Sequence, residues 1–396
     1  MLRLYLLFAA IYLVEGITEV SFILNVYLKK ILAFTPVQIG QILFLSGLWF
    51  VFLKPLIGFI ADSWKGFNKR WALLFGLLCS AGGWLLIARA QTQLEMTAGV
   101  SLKVFAIACL DVLIDGMIVE VSTARNRSFV QSLVYGFRFG GGMLCANWAG
   151  GRIGDSALDF IQIYYIFSLL SLVALVPVLI YRMKAGSEAE GGAVLESQGQ
   201  SSATDKRSLR EKFGQLANPA FGWFLMLLFL YALGADTATY FDPILEERFG
   251  GEFLGRITSF YYAGIIAGIF TFPLLRKILS MKTLYIISLV GWSLVEISCL
   301  GIAEWNGWLI YFFGGFFNAY SGIALLTVAV AMCKMRGIET FAFAFAVSVK
   351  NLMDLAKVPI GGYVMEAAGL TWLFVISSLC GFLPFLVLHK LEFKDV

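Results

Sequence analysis

Eleven charged side chains lie within long apolar runs of this chain: Glu15, Glu19, Lys54, Asp111, Asp115, Arg138, Asp236, Glu296, Lys350, Asp354 and Lys357. Their spacing is ordered. Glu15 and Glu19 are four residues apart, as are Asp111 and Asp115, so each pair shares one helix face. Lys350, Asp354 and Lys357 follow at i, i+4 and i+7 along one stripe. Carboxylates and cations on common faces suit two kinds of chemistry, holding an ionised solute and passing a proton. Other chemistries are excluded. The single histidine, His389, is near the C-terminus, so no histidine-based metal centre or catalytic triad is expected. The six cysteines lie in apolar runs where disulfide pairing is not expected. No G-x-x-x-x-G-K-[ST] loop is present to bind ATP. Neither a cofactor nor a metal is called for.

The elements that carry these charges must be membrane helices. Residues of the AVILMFWYC set make up 59% of the 396-residue chain, and DEKR only 14%. A soluble domain has about 25% charged residues, so a soluble globular enzyme is ruled out. Twelve stretches reach the ~20 apolar residues that cross a bilayer: roughly 4–27, 38–61, 70–90, 100–122, 128–150, 160–182, 219–241, 254–275, 283–302, 306–333, 340–364 and 369–389. The first is no cleavable signal, since two glutamates lie inside it. The expected fold class is all-α and polytopic. Alternate loops concentrate Lys65, Lys69, Arg70, Arg125, Arg127, Arg276, Lys277, Lys282, Lys334 and Arg336. The positive-inside rule puts these loops and both termini in the cytoplasm.

Residues 184–216 form the expected flexible cytoplasmic linker, rich in Gly, Ser and charge to about residue 205. It separates a six-helix half, 1–183, from a second, 217–396. Six plus six spans around a cytoplasmic connector is the layout of the major facilitator architecture. A weak internal repeat agrees. Aligning Gly150-Gly151 with Gly361-Gly362 brings Arg138 within one residue of Lys350, so each half offers a mid-span cation.

A charge at the bilayer centre costs about 2.5–3.5 kcal/mol on insertion scales. A polar central cavity removes most of that cost. The plain alternative is helix-locking ion pairs. It fits Asp354 between its two lysines, and Glu296 toward the outer end of its span. Lys54 precedes Pro55 near the cytoplasmic end, where snorkelling or gating suits it. The loop from Gly58 through Asp62 to Arg70 resembles the G-x-x-x-D-(R)-x-G-R-(R) signature of major facilitators, with Ser63 in place of the first Arg. Gating is therefore expected of Lys54, Gly58, Asp62, Arg70 and Arg125. Gly140-Gly141-Gly142, Gly264-x-x-x-Gly268 and Gly361-Gly362 are read as close-packing sites. Pro55, Pro273 and Pro359 are read as places where the helix ladder loosens.

Three stretches carry a closer likeness. Lys54-Pro55-Leu56-Ile57-Gly58 through Asp62-Ser63, Asp111-Val112 through Asp115 to Glu120, and Gln131-Ser132 through Arg138 to Gly140-Gly141 resemble, in order, segments of the folate–biopterin transporter family. The resemblance covers residues 54–141; the second half matches in layout and in a lysine-rich eleventh span. It implies a major facilitator fold and a folate- or pterin-like cargo. One carboxylate can pair with adjacent N–H donors of a pterin ring, a part given to Asp111 or Asp115. Arg138 and Lys350, with Asp354, are the expected partners of an anionic tail.

The expectation is thus a secondary transporter of a folate- or pterin-like organic anion, working by alternating access. Protons are the expected coupling ion, with Glu15, Glu19 and Asp115 as carriers. Its partners would be that solute, protons and the lipid bilayer, with no nucleic acid, and the chain is expected to be a monomer in a bacterial inner membrane. Two rival readings are a carrier of another organic anion or nutrient, and a facilitator-fold assembly factor that transports nothing. The second predicts that the intramembrane charges can be neutralised without loss of function.

Overall fold

The computed structural model describes residues 2–63, 68–121, 127–180, 214–333 and 339–391. Residues 184–213 of the expected linker and Arg125 lie outside these residues, while the linker's last residues enter a short helical turn at Gln215–Ala217. The described residues are helical and contain no strand. Among the described residues, nine helices are long and apolar enough to cross a membrane, the last being long enough for two crossings. With Arg127–Gly150 and the two helices over 219–249, twelve spans result. An even number of spans leaves both chain ends on one face.

Span one is Leu2–Thr18 and Ser21–Val26, carried on by a π turn at Tyr27–Ile31. Spans two to five are Pro36–Ser63, Lys69–Arg89, Gln93–Val121 and Arg127–Gly150. Span six is Ala157–Val173 with Leu175–Ile180. Span seven is Pro219–Ala232 followed by Ala238–Phe249. Spans eight to ten are Gly251–Leu275, Met281–Ser298 and Gly307–Met332. Spans eleven and twelve lie within Glu339–Cys380. Side-chain caps fix several starts: Asn68 accepts from the Arg70 and Trp71 amides, Ser156 from Leu158, Asn218 from Ala220, and Ser280 from Thr283. Each answers an amide that the first helical turn leaves unpaired.

Two reversals use no loop. Gly250 (φ 83°) joins spans seven and eight, and Gly369 (φ 81°) divides eleven from twelve. Side chains with a Cβ avoid that region, so glycine permits a helix to turn back within one residue.

Within the first half, span one packs on five, three on four and six, and two on four. In the second, ten packs on eight and nine, and seven on the eleven–twelve helix. The halves meet where two lies on eleven, five on eight, and 238–249 on 21–26. The core follows the same division. Toward the face opposite the chain ends, one apolar cluster joins both halves, with Tyr27, Trp84 and Tyr164 alongside Phe241, Leu245 and Phe374. Toward the chain ends the clusters separate. Leu7, Phe8, Leu77 and Ile114 belong to one half's cluster, and Phe221, Leu284 and Val328 to the other's. Apolar side chains such as Phe52, Trp71, Phe270 and Leu386 stay exposed. On a spanning bundle, such residues face hydrocarbon.

Candidate functional site

The charges of the first half gather around Arg138 in span five. One guanidinium nitrogen lies 2.9 Å from Glu15 Oε1 and also donates to Glu19 Oε2, and another lies 3.4 Å from Asp111 Oδ1. Asp111 Oδ2 takes the Lys54 ammonium at 2.7 Å. Lys54 therefore turns inward onto span four and does not snorkel outward. Glu15 and Asp111 are buried, while Glu19 and Arg138 are partly exposed. The Tyr12 ring lies 5.7 Å under the guanidinium. Gly16 and Gly141 let spans one and five approach closely enough for this; a Cβ on Gly141 would fall 2.5 Å from the Leu13 carbonyl oxygen.

The second half has the reverse pattern. Asp354 in span eleven accepts from Lys350 through Oδ2 and from Lys357 through Oδ1 at 2.7 Å. Beside this triad, the Asp236 amide donates to the Lys357 carbonyl, and Asp236 Oδ2 caps the Thr239 amide at 3.1 Å. Across span nine, Glu296 accepts from Thr237 Oγ1 at 3.2 Å. A cavity of about 410 Å³ lies among these groups. Its wall includes Asp236, Asp242, Glu296, Lys350, Asp354 and Lys357, with Tyr231, Tyr261, Trp292, Tyr311 and Phe374 as aromatic faces. Asn318 Nδ2 donates to the Tyr261 hydroxyl at 2.7 Å and fixes that ring.

The expected site residues thus fall into two groups. Lys350 and Asp354 line the cavity. Glu15, Glu19, Lys54, Asp111 and Arg138 form one ion-pair cluster in the first half, and Arg138 is not part of the cavity wall. Asp115 lies on span four, and Gly58 and Asp62 on span two; the side chains at these positions lie outside the described residues. Arg70 donates to the carbonyls of Val178 and Leu179 in its own half, at 3.2 and 2.6 Å.

The sequence reading missed the far end of spans one and seven. It put Lys29, Lys30, Glu246 and Glu247 in loops and ended span seven at residue 241. Helix 238–249 instead carries Asp242 and Glu246 into the interface between halves, each 5% exposed. Asn25 Nδ2 donates to Asp242 Oδ2 at 3.0 Å, and Lys30 bridges Glu246 at 2.8 Å and Asp155 at 2.6 Å. Low hydropathy hid this helix, because it packs on protein and not on lipid. The i, i+4 spacing of Asp242 and Glu246 was the available signal. Lys103 was also missed; its ammonium lies 4.7 Å over the Trp84 ring.

Further contacts seal the halves from mid-bundle to this same face. Ser348 donates to the Val51 carbonyl, Ser259 to Met143, and the Val37 amide to Glu366. Spans five and eight touch through Gly150, Gly251 and Gly255; a Cβ on Gly150 would fall 2.6 Å from the Gly255 Cα. The six cysteines are free thiols.

Two pseudo-repeated six-helix bundles, sealed at one end and enclosing charged, aromatic-walled space between membrane helices, define a polytopic carrier fold. The sequence profile of the Major Facilitator Superfamily matches residues 4–352, and the chain belongs to that superfamily. Its structure is similar to that of the nucleoside transporter NupG, with a TM-score of 0.72 at 16% identity over 98% of this chain and 97% of the other. It is also similar to a D-xylose–proton symporter, with a TM-score of 0.74 at 14% identity over 99% and 98%. The E. coli fucose–proton symporter FucP gives 0.60 at 14% identity over 98% of each chain. These likenesses show the fold. No curated protein sequence matches the chain significantly.

Proposed function

We propose that the protein is a secondary active transporter of a folate- or pterin-like molecule, driven by protons and working by alternating access. One observation carries the reading. Each of the three stretches that resemble the folate–biopterin transporter family contributes one charge, Lys54, Asp111 and Arg138, and the three charges meet in a single cluster. Residues distant in sequence but joined in one buried ion-pair group suit a working site better than independent locks. Substrate contact is assigned to Asp111, Asp115 and Arg138 from one half and Lys350 and Asp354 from the other. Glu15, Glu19 and Asp115 are assigned the coupling proton, and Lys54, Gly58, Asp62, Arg70 and Arg125 the gate. The basic loops favour cytoplasmic termini, and the membrane is taken to be a bacterial inner membrane. The carrier is taken to act as a monomer.

Binding tests this first. Folic acid, a reduced folate and biopterin are offered to the purified protein and its melting temperature is followed. A ligand that binds only the folded state raises it by mass action. A rise that disappears in still-folded Arg138→Ala and Lys350→Ala supports the reading; no rise with any of the three refutes the cargo. For coupling, uptake into proteoliposomes is compared with and without a proton gradient. Gradient dependence retained in Glu15→Gln, Glu19→Gln and Asp115→Asn alike refutes the proton assignment.

A further inference from the structure

We infer that Glu296 is a specificity residue of the cavity, reading the donor edge of a planar heteroaromatic molecule that presents two adjacent N–H groups. This rests on the reading of the cavity as the cargo's binding site. It differs from the assignment above, which gives ring recognition to the first half.

Three features occur together at Glu296; Asp242 shares the first two, but among the described residues neither of its oxygens is buried without a hydrogen bond. First, it is 5% exposed and lines the cavity wall. Second, it has no cation within ion-pair distance among the described residues, whereas Asp354 has two and Asp111 has two. Third, its donors are few. Thr237 Oγ1 reaches Oε1, and Oε2 is buried without a hydrogen bond among the described residues. A carboxylate offers about four acceptor positions; Thr237 uses one, and the Ser377 hydroxyl acts on the same carboxylate. A purely structural carboxylate at this depth would be matched by a cation or by several donors, because an unmatched buried charge is costly. The unused acceptors define what completes the site.

The surroundings specify the rest of the ligand. Trp292 lies one turn before Glu296 on span nine, and Tyr261, Tyr311 and Phe374 line the same cavity. These are flat apolar faces for a ring. Two parallel N–H groups, such as a ring N–H beside an exocyclic amine, match the two oxygens of one carboxylate as a fork. A ring with a single donor leaves one oxygen unmatched. Thr237, at the start of the second helix of span seven, holds the carboxylate plane for this contact.

The test uses the full-length protein in detergent and three probes. Guanosine and biopterin each carry a ring N–H next to an amino group. Inosine carries the ring N–H alone. Dissociation constants are measured by quenching of tryptophan fluorescence. The wild-type protein is expected to bind guanosine and biopterin about 10- to 100-fold more tightly than inosine, the scale of one hydrogen bond to a charged group. Glu296→Gln, which replaces one acceptor oxygen by a donor, is expected to bring guanosine and inosine within about threefold of each other while keeping a cooperative melt. Thr237→Val keeps the question open to measurement if Glu296→Gln does not fold. It is expected to reduce the discrimination by about 3- to 10-fold through loss of orientation. Undiminished discrimination in a folded variant overturns the assignment, and so does a wild-type protein that binds none of the three probes. Guanosine binding that depends on Glu296, with no binding of folic acid, reduced folate or biopterin, leaves this inference standing and removes the folate–pterin reading. Biopterin binding indifferent to Glu296 does the opposite.

Discussion

In the first half one guanidinium serves three carboxylates; in the second one carboxylate serves two ammoniums. The weak repeat in the sequence brings Arg138 within one residue of Lys350, yet the neighbours of the two are inverted. Glu15, Glu19 and Asp111 outnumber Arg138 and Lys54, whereas Lys350 and Lys357 outnumber Asp354. Each bundle thus carries a charged level, with a cation shared by carboxylates in one and a carboxylate shared by cations in the other; Asp236, Asp242 and Glu296 line the cavity beside the second.

The comparison can be broken hardest at Arg138. Replacing it by alanine leaves three carboxylates without their shared cation, and a loss of about 3–5 kcal/mol is expected, as for other buried pairs broken on one side. Arg138→Lys should recover only part of this, because an ammonium is a point charge and lacks the planar fork. Chemical denaturation in detergent reads both. In the second half, Lys350→Met or Lys357→Met leaves Asp354 one ammonium, so each single change should cost less, about 1.5 kcal/mol. Removing both should exceed the sum of the two, since the lysines share one acceptor. Equal losses at Arg138 and at a single lysine would erase the distinction between the halves.

The seam between the halves gives a third test. Asn25→Leu deprives Asp242 of its described donor and should cost about 1–3 kcal/mol, read as a lowered melting temperature. The smallest effect belongs to Asp155, which is 95% exposed in the salt bridge with Lys30. The hydrogen bond and charge of Lys30 hold its carboxyl below the usual carboxylate range. Its contribution is therefore present above about pH 4, where an unfolded Asp is already ionised, and fades as pH falls through the lowered folded value. Asp155→Asn should melt slightly below wild type at neutral pH and match it in acid. A difference that grew in acid would contradict this sign.

The spans and the mid-membrane charges were legible because hydropathy and the cost of buried charge act locally along the chain. Glu15 with Glu19, and Lys350 with Asp354 and Lys357, could be placed on common faces by counting residues. Their partners could not. Whether Lys54 reaches outward or turns onto Asp111 depends on how span two lies against span four, a tertiary fact. Asp242 and Glu246 were lost for a related reason. Hydropathy recognises helices that face lipid, and helix 238–249 faces protein. Glu296 was visible as a charge, but that its second oxygen lacks a donor appears only when spans seven and nine are seen together.

The contact between spans five and eight has one more consequence. At Gly150, Gly251 and Gly255 the two halves touch backbone to backbone, with only the Ile153 side chain beside Gly251. At that level the joint works as a plain bearing, while Tyr262 on Gly142 and Ser259 on the Met143 carbonyl carry the side-chain contacts farther along the same seam. It also gives those three positions no slack. Almost any site on the lipid-facing surface can exchange one apolar residue for another, whereas here a single added methyl group meets main chain. In a saturating substitution library, these glycines should tolerate few replacements, as should Gly264 and Gly315, where an added Cβ would fall 1.9 Å from a carbonyl oxygen.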